Sequence, residues 1–313
     1  MKPLERPWLI AAWPGMGGVA QIAAGFLAQK LDAKRVEDVD LRSLVEPRAV
    51  DVRSGIVQQA ASTHSAFHAW KNTAGGRDLL FYLANDQPER EPWTYCNRVI
   101  ALARELGATR VITFAAMGTQ IEPRAAPRVF AVATTPALLE ELVAHGAEPL
   151  GEGQISGLNG LVLAAAAAQG VEAACLLGEF PYFAAAVANP KASVAVLRLF
   201  ERLSGVPLDL AELDAHVAPV EAALDEALAK LRSAAEAQSP SGKPPEATEG
   251  EEWKQAREHE ARPSIEEARR VEALFERARK DKSQALALKA ELDRLGLFKR
   301  YEDRFLDLFK QAG

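Results

Sequence analysis

The sequence predicts an α/β protein followed by an all-helical appendage. Short apolar runs alternate with helical patterns up to about residue 205, which is typical of a sheet whose strands are joined by crossover helices. Several runs are apolar almost throughout, as central strands are when helices cover both faces of a sheet. The chain has 313 residues and is 48% hydrophobic, which suits a sizeable core and excludes wholesale disorder.

Strands and helices alternate along this region. The seven predicted strands are 8–13, 35–39, 55–59, 78–84, 109–115, 128–133 and 171–177. The helices predicted between them are 17–31, 91–106, 136–145, 157–169 and 190–204. Two helix boundaries carry clear signals, because Thr135 precedes Pro136 at the start of one helix and Gly107 follows the end of another.

The pattern becomes purely helical after residue 208. Apolar residues recur at three- and four-residue spacings over 209–238, which predicts an amphipathic helix that could break near Pro219. Residues 239–251 contain three prolines, two glycines and no large apolar residue, so they predict a flexible linker. The predicted domains are therefore a core at 1–238, the linker, and a tail of three or four charged helices at 252–313.

Charge and cysteine content exclude several classes of protein. The net charge of −6 is opposite in sign to a phosphate-binding surface, so neither nucleic acid nor an anionic membrane is expected as a partner. The tail, 239–313, carries 16 basic and 16 acidic side chains, so the negative charge belongs to the core. Cys96 and Cys175 have no metal-binding spacing, and no apolar run reaches the roughly 20 residues that span a bilayer. A cytoplasmic protein without a metal or other cofactor is predicted.

A glycine loop follows the first predicted strand. Gly15 and Gly17, with Ala20 three positions later, form a partial dinucleotide-binding fingerprint, and Asp38 or Asp40 lies where a ribose-binding acid would be expected. Two other interpretations stay open. In one, the glycines only permit a tight turn into the helix; in the other, the exposed amides at the helix start hold an anion.

Two later segments also contain glycine next to polar residues. Ser156 is not a nucleophile elbow, because Gln154 stands where that motif needs glycine. Asn159, at the start of a helix, could contact a ligand or could serve capping and close packing. Glu179 follows the strand 171–177, where it could act as a general base, bind a hydroxyl group or cap a neighbouring helix.

The histidines form no recognisable metal-binding or catalytic motif. His64 and His68 could share a helix face, but Ser65 occupies the position where a zinc protease motif needs glutamate. No Ser/His/Asp or Cys/His set can be named. The sequence therefore predicts no metal site and no catalytic set, and Glu179 is the one weak catalytic candidate.

Five short motifs follow one another along the chain. They are, in order, Pro14-Gly15-x-Gly17-Gly18, Met117-Gly118, Gln154-Ile155-Ser156-Gly157-Leu158-Asn159-Gly160, Gly178-Glu179-x-Pro181-Tyr182 and Asn189-Pro190-Lys191-Ala192-Ser193. In this order and spacing they resemble the bacterial and archaeal family related to proteasome assembly chaperone two. The likeness covers about residues 8–205, and the tail segment 295–309 also resembles the C-terminal helices of some bacterial members.

The resemblance implies a three-layer α/β/α sandwich similar to the nucleoside phosphorylase/hydrolase-like fold, without an established catalytic set. Eukaryotic and archaeal relatives act as chaperones that bind proteasome α-subunits. Some relatives dock through a C-terminal hydrophobic-tyrosine-x motif, whereas this chain ends Lys310-Gln311-Ala312-Gly313, so docking of its C-terminus on a proteasome is not expected. Phe180 also stands where relatives often carry threonine.

The function predicted from these observations is a non-enzymatic, assembly-chaperone-like or protein-interaction role, with a protein partner or a second copy of the chain. The alternative is an enzyme or binding protein for a nucleoside, nucleotide or anion, which would use a cleft at the C-terminal ends of the strands. The residues predicted to line the cleft are Gly15, Gly17, Gly18, Met117, Gly118, Gly157, Asn159, Gly160, Glu179 and Tyr182.

Overall fold

The computed structural model of the protein describes residues 4–38, 52–57, 66–88, 90–151, 155 and 157–238, together with ten residues between 270 and 292. The chain divides into two compact units, 1–234 and 235–313. The predicted linker and the predicted tail helices 252–261 and 298–310 lie outside the described residues. No helix in the described part is long and apolar enough to cross a membrane.

The first unit alternates strands and helices. The strands are β1 (Trp8–Ala12), β2 (Lys34–Asp38), β3 (Val52–Arg53), β4 (Ile56–Val57), β5 (Ala66–Trp70), β6 (Leu79–Leu83), β7 (Arg110–Thr119), β8 (Val129–Ala133), β9 (Glu148–Pro149) and β10 (Glu172–Pro181). The helices are α1 (Val19–Lys30), α2 (Pro92–Glu105), α3 (Pro136–Ala144), α4 (Leu158–Ala168), α5 (Pro190–Ser204), α6 (Ala211–Asp214) and α7 (Val217–Gln238).

Eight of the strands form one mixed sheet in the order β2-β5-β6-β1-β7-β10-β8-β9. Its centre is parallel, because β1 pairs in parallel with β6 and β7, and β7 pairs in parallel with β10. Antiparallel pairs enter on both sides, at β5 and β8. The four parallel strands end at the same edge of the sheet, which we call the strand-end edge.

Helices cover both faces of the sheet. The apolar core on one face includes residues of α1, α3 and α5, and the core on the other includes residues of α2 and α4. Neighbouring strand residues point to opposite faces, so Ile10 belongs to the first core while Leu9 and Ala11 belong to the second. The predicted α/β class and its three-layer arrangement are confirmed.

The main errors of the sequence-based prediction lie at strand ends. β7 runs on to Thr119 and β10 to Pro181, so Met117, Gly118 and Glu179 lie in strands and not in loops. The two strands pair in register over ten residues, from Arg110 with Glu172 onwards, and this long ladder accommodates glycine and a charged residue. The sequence pattern does not predict strands β3, β5 and β9.

Two other predictions are corrected. His68 lies in β5, so it does not share a helix face with His64, which is outside the described residues. The helix expected over 209–238 breaks at 215–216, before Pro219 and not at it. Pro219 is the third residue of α7, where a backbone N–H would have no intrahelical acceptor, so proline does not interrupt the helix there.

The second unit is helical where it is described. Val271, Phe275 and Ala278 are buried at four- and three-residue spacings, as expected for one face of a helix. Leu288 and Leu292 are buried at a spacing of four residues. The helical character predicted for 264–281 and 284–295 therefore agrees with the described positions, while the domain boundaries at 238 and 252 remain predictions.

Candidate functional site

Ligands of open α/β sheets usually bind beyond the C-terminal ends of the strands, so the strand-end edge is the place to look for a site. The structure brings the predicted cleft residues to this edge in two groups. One group surrounds the end of β1 and includes Gly15, Gly17, Gly157 and Asn159. The other lies at the paired ends of β7 and β10 and includes Met117, Gly118, Glu179 and Tyr182.

Asn159 joins the start of α4 to the end of β1. Its Oδ1 accepts a hydrogen bond of 3.0 Å from the backbone N–H of Trp13, and its Nδ2 donates one of 3.2 Å to the carbonyl oxygen of the same residue. The backbone oxygen of Asn159 also accepts a 2.7 Å hydrogen bond from the hydroxyl group of Thr113. The buried amide therefore binds the protein's own backbone, and it neither caps α4 nor projects towards a ligand.

Gln87 makes a second amide link, which sequence reasoning missed. Its Nε2 donates to the carbonyl oxygen of Pro14, and its Oε1 accepts from the N–H of Leu158 at 3.3 Å. Gly157 precedes α4 with a φ of 78°, a conformation that glycine adopts easily, and a Cβ there would lie 3.6 Å from Oε1 of Gln87. These contacts close the space between the loop after β1 and the start of α4.

An aromatic cluster lies beneath this closed junction. The indole N–H of Trp13 donates a 3.0 Å hydrogen bond to the hydroxyl oxygen of Tyr95, which lies 2.7 Å from the hydroxyl oxygen of Tyr82. All three side chains are fully buried. Each of the three polar atoms has a hydrogen-bond partner within the cluster, so the end of β1 is held without an unpaired polar atom among them.

The glycines after β1 form a tight turn. Gly17 and Gly18 both have a φ of 60°, which non-glycine residues rarely adopt. The N–H of Gly17 donates to Ala185 at 2.8 Å, and the N–H of Gly18 donates to Gly15 at 3.1 Å. Both amides are thus occupied within the protein. The structure favours the turn over the anion-binding interpretation of this loop.

The dinucleotide-binding interpretation is also corrected. Asp38 ends β2, and both β5 and β6 separate β2 from β1. The other candidate acid, Asp40, lies outside the described residues. With neighbouring strands about 4.8 Å apart, Asp38 lies about 14 Å from the glycine loop in the direction across the sheet. A dinucleotide site requires the acid on the strand next to β1, so the sequence spacing alone was misleading.

Glu179 is the buried acid of the second group. Its carboxylate accepts hydrogen bonds from Nε and Nη2 of Arg128 at 2.9 and 2.7 Å, from the backbone N–H of Arg128 at 3.1 Å and from the hydroxyl group of Thr119 at 2.8 Å. Its side chain is only 3% exposed, whereas that of Arg128 is 52% exposed. The acid therefore fastens the end of β10 to the start of β8.

These hydrogen bonds set the pKa of the Glu179 carboxyl. The side-chain hydrogen bonds from Arg128 lower the pKa of the carboxyl from 4.5 to about 2, although burial alone would raise it. The same ion pair raises the pKa of Arg128. A carboxylate with this pKa is ionised at neutral pH and is a weak base, so it fits neither the general-acid nor the general-base role.

We expect the free energy of unfolding of Glu179→Gln to vary less with pH in the acidic range than that of the wild type. The folded carboxyl titrates near pH 2 and an unfolded one near 4.5, so its stabilisation is complete above about pH 5 and is lost as the pH falls towards 2. Urea unfolding should show the variant about 2 kcal/mol less stable than the wild type at pH 7, with a smaller difference at pH 3. Glu148→Gln is the matched control, because Glu148 meets the same arginine at 3.3 Å but is 51% exposed. A difference between wild type and Glu179→Gln that does not change with pH would contradict the assignment.

The remaining glycines of the predicted cleft serve close packing. A Cβ on Gly118 would lie 3.4 Å from Cα and Cβ of Tyr182. A Cβ on Gly160 would overlap the side chain of Ile155. Most of the predicted cleft residues therefore pack within the protein. The large apolar side chains that the strand-end edge exposes to solvent are mostly other residues.

Four large apolar side chains are exposed at the strand-end edge. They are Met16, Trp93, Tyr182 and Val187, with exposures between 43% and 52%. The loops that carry Met16 and Val187 are adjacent, because the N–H of Asn189 donates to the carbonyl oxygen of Gly17 at 2.8 Å and Gly17 donates to Ala185. Exposed apolar residues grouped at one edge are typical of a surface that binds another macromolecule.

The described residues offer neither a cluster of metal ligands nor an ionised thiol. Among the residues that the structure describes, no group of three or more His, Cys, Asp and Glu side chains could hold a metal ion. Burial raises the pKa of Cys96 and of Cys175 to about 12, so both thiols stay protonated at neutral pH. Neither cysteine is suited to nucleophilic catalysis.

The structure thus defines an α/β protein with a closed strand-end junction and an exposed apolar rim. The chain belongs to the PAC2 family, whose model matches residues 9–228. The resemblance noted in the sequence is thereby confirmed, and the match extends beyond residue 205 into α7.

Individual relatives agree with this assignment. The chain is 24% identical over 217 residues to the uncharacterized protein MJ1210 of Methanocaldococcus jannaschii, covering 68% of this chain and 80% of that protein. It is similar in structure to PbaB of Pyrococcus furiosus, an archaeal proteasome activator, with a TM-score of 0.60, 24% identity and coverage of 72% and 96% of the two chains.

A bacterial structure is similar to the same degree. Rv2125 of Mycobacterium tuberculosis, a proteasome-assembly chaperone homologue, matches with a TM-score of 0.60, 20% identity and coverage of 70% of this chain and 94% of that chain. At these identities the structural matches establish the shared fold.

Proposed function

We propose that this protein is a non-enzymatic, assembly-chaperone-like protein that binds other proteins, forms homo-oligomers and works in the cytoplasm. Membership of the PAC2 family supports the proposal, together with structural likeness to a proteasome activator and to a proteasome-assembly chaperone homologue. A protein surface is the partner that we propose, in place of a nucleic acid or a membrane.

The observation that carries the proposal is that the strand-end edge has an occupied junction where a substrate would bind and exposed apolar side chains around it. The position where an α/β enzyme would hold its substrate is filled by the amides of Asn159 and Gln87. The same edge exposes four large apolar side chains, Met16 and Val187 among them. Such a surface loses unfavourable contact with water when a second protein covers it.

The alternative enzyme function has less support. It relied on Glu179 as the acid or base and on glycine amides as an anion site. The carboxylate of Glu179 is occupied by Arg128 and Thr119, and the amide of Gly17 is occupied by Ala185. No observation therefore favours this function over protein binding.

Size-exclusion chromatography with light scattering and an affinity pulldown test the proposal. We expect the wild type to elute as a multiple of the chain mass and to retain a reproducible partner. The double variant Met16→Glu, Val187→Glu should shift towards the monomer or lose the partner by tenfold or more, because charges now stand on the surface to be buried.

Val143→Glu is the matched control, since Val143 is exposed to the same 43% as Val187 but lies on α3. It should behave as the wild type. All three proteins should melt at similar temperatures, because the substituted side chains are exposed. A strictly monomeric wild type that retains no partner would overturn the proposal.

A further inference from the structure

A second surface feature lies away from the predicted cleft. An open groove of about 380 Å³ runs between one face of α5, the start of β8 and the segment that includes Gly146 and Glu148. We call it the α5 groove. Its volume falls in the range of about 300–1,000 Å³ that is usual for ligand-binding clefts.

The α5 groove has an apolar lining. Pro127 and Val129 contribute from the β8 side, and Val194 and Ala195 contribute from α5. Val129 and Val194 are buried, so they form a firm surface against which an aliphatic side chain could pack.

Cationic side chains surround this apolar lining. Lys191, Arg198 and Arg202 follow one another at seven- and four-residue spacings along the same face of α5, and Arg128 lies on the opposite side. Glu148 is the one acid among the described residues that line the groove. A cationic groove is a local exception in a chain with a net charge of −6.

Some of these cationic side chains already form ion pairs with acids of the protein, and others carry charge that is less well neutralised. Arg128 pairs with Glu179, and Lys191 pairs with Glu221 at 2.6 Å in a largely shielded position. These two are compensated. The other two, Arg198 and Arg202, decide what the groove attracts.

Arg198 and Arg202 carry charge that is available to a partner. Arg198 meets Asp214 in an ion pair exposed on both sides, which contributes at most about 1 kcal/mol and is easily exchanged. Nε of Arg202 donates to the carbonyl oxygen of His145, and its guanidinium has no ion pair with any residue that the structure describes. The two arginines stand one helical turn apart and repel each other, so an anion near both would be stabilised.

We propose that the α5 groove binds an acidic segment of a protein partner, in which carboxylates meet Arg198 and Arg202 and an aliphatic side chain packs on Val129 and Val194. Charge complementarity identifies this occupant, and bidentate pairing with carboxylates is the strongest contact that arginine makes. The inference rests on the proposed function, because it names the chemistry of the partner. A nucleic acid is less suited, since the lining is aliphatic and supplies no aromatic ring for stacking.

Fluorescence anisotropy with the full chain tests the inference. The probe is a fluorescein-labelled hexapeptide of four glutamates and two leucines. We expect the wild type to bind it, and Arg198→Gln with Arg202→Gln to raise Kd at least tenfold. Ala195→Trp, which fills the α5 groove without changing its charge, should raise Kd by a similar factor. Arg98→Gln with Arg104→Gln is the charge-matched control, because both arginines are exposed on α2 in the other helix layer, and it should leave Kd unchanged.

Three results would overturn the inference. They are no binding at millimolar peptide, equal Kd values in the wild type and the groove variants, or tighter binding of a single-stranded oligodeoxynucleotide than of the peptide. The pulldown separates this failure from failure of the proposed function. If the groove variants keep the partner and oligomeric state of the wild type, the α5 groove is not the site but the protein still binds proteins.

Discussion

Replacing Gly178 by valine should lower the free energy of unfolding by about 3 kcal/mol or more. Gly178 lies in β10 where α5 crosses the sheet. A Cβ at this position would stand 2.6 Å from the carbonyl oxygen of Ala192 and 3.1 Å from its carbonyl carbon and Cβ. These atoms belong to the helix backbone or lie directly on it. They cannot rotate away, so α5 would have to move off the strand.

Urea unfolding at neutral pH measures this effect, and Gly178→Ala should already cost about 1–3 kcal/mol. Gly25→Ala is the control, because Gly25 lies in α1 and an added Cβ would have no atom within 4 Å beyond its chain neighbours and the backbone of its own helix. Alanine favours a helix over glycine, so this variant should be more stable by up to about 1 kcal/mol. If Gly178→Ala matched the wild type, the close approach of α5 to β10 would be wrong.

Asn159→Ala should be the second most damaging change, with an expected loss of about 2–4 kcal/mol. The substitution leaves the N–H of Trp13 and its carbonyl oxygen without the amide that pairs them, in a place where water does not reach. The loss of one buried donor costs about 1–3 kcal/mol, and the carbonyl adds to that cost.

Asn97→Ala is the control for this change. Asn97 is also a helical asparagine, in α2. Its Nδ2 donates an exposed hydrogen bond of 2.9 Å to the carbonyl oxygen of Trp93, and its Oδ1 accepts a part-buried one of 3.0 Å from Gln169. Both variants replace a helical asparagine by alanine, so a larger loss in Asn159→Ala reports the full burial of its amide. Near-ultraviolet circular dichroism should also change in Asn159→Ala, because Trp13 loses its backbone anchor. Equal stabilities of the two variants would show that Asn159 does not anchor β1.

The order of the central elements was predictable because it depends on local signals. β1 and β6 are uninterrupted apolar runs, and α3 begins with Thr135 as its cap, whose side chain accepts a hydrogen bond from the N–H of Leu138. β5 was not predictable in the same way. It has a histidine at its centre and becomes a strand through pairing with β6 along its whole length.

The candidate site was harder to predict, because its contacts join residues that are far apart in sequence. Glycine and acids are depleted in strands, so the sequence indicated that β10 stops before Gly178. The strand continues there because Gly178 makes room for α5 and Glu179 pairs with Arg128, 51 residues earlier. A strand-terminal acid looks the same in sequence whether it is a free base or half of an ion pair. Arg128, directly before an apolar run, was the available signal.

The central place of β1 in the sheet also affects the chain during synthesis. Trp8 pairs with Leu79 and with Arg110, so β1 is synthesised about 70 residues before one neighbour and about 100 before the other. Contacts between such distant segments slow folding, since a long loop must close before they form. Until β7 has emerged, the apolar run from Trp8 to Ala12 lacks one of its two neighbouring strands, so the nascent chain exposes an unpaired apolar strand that is prone to aggregate.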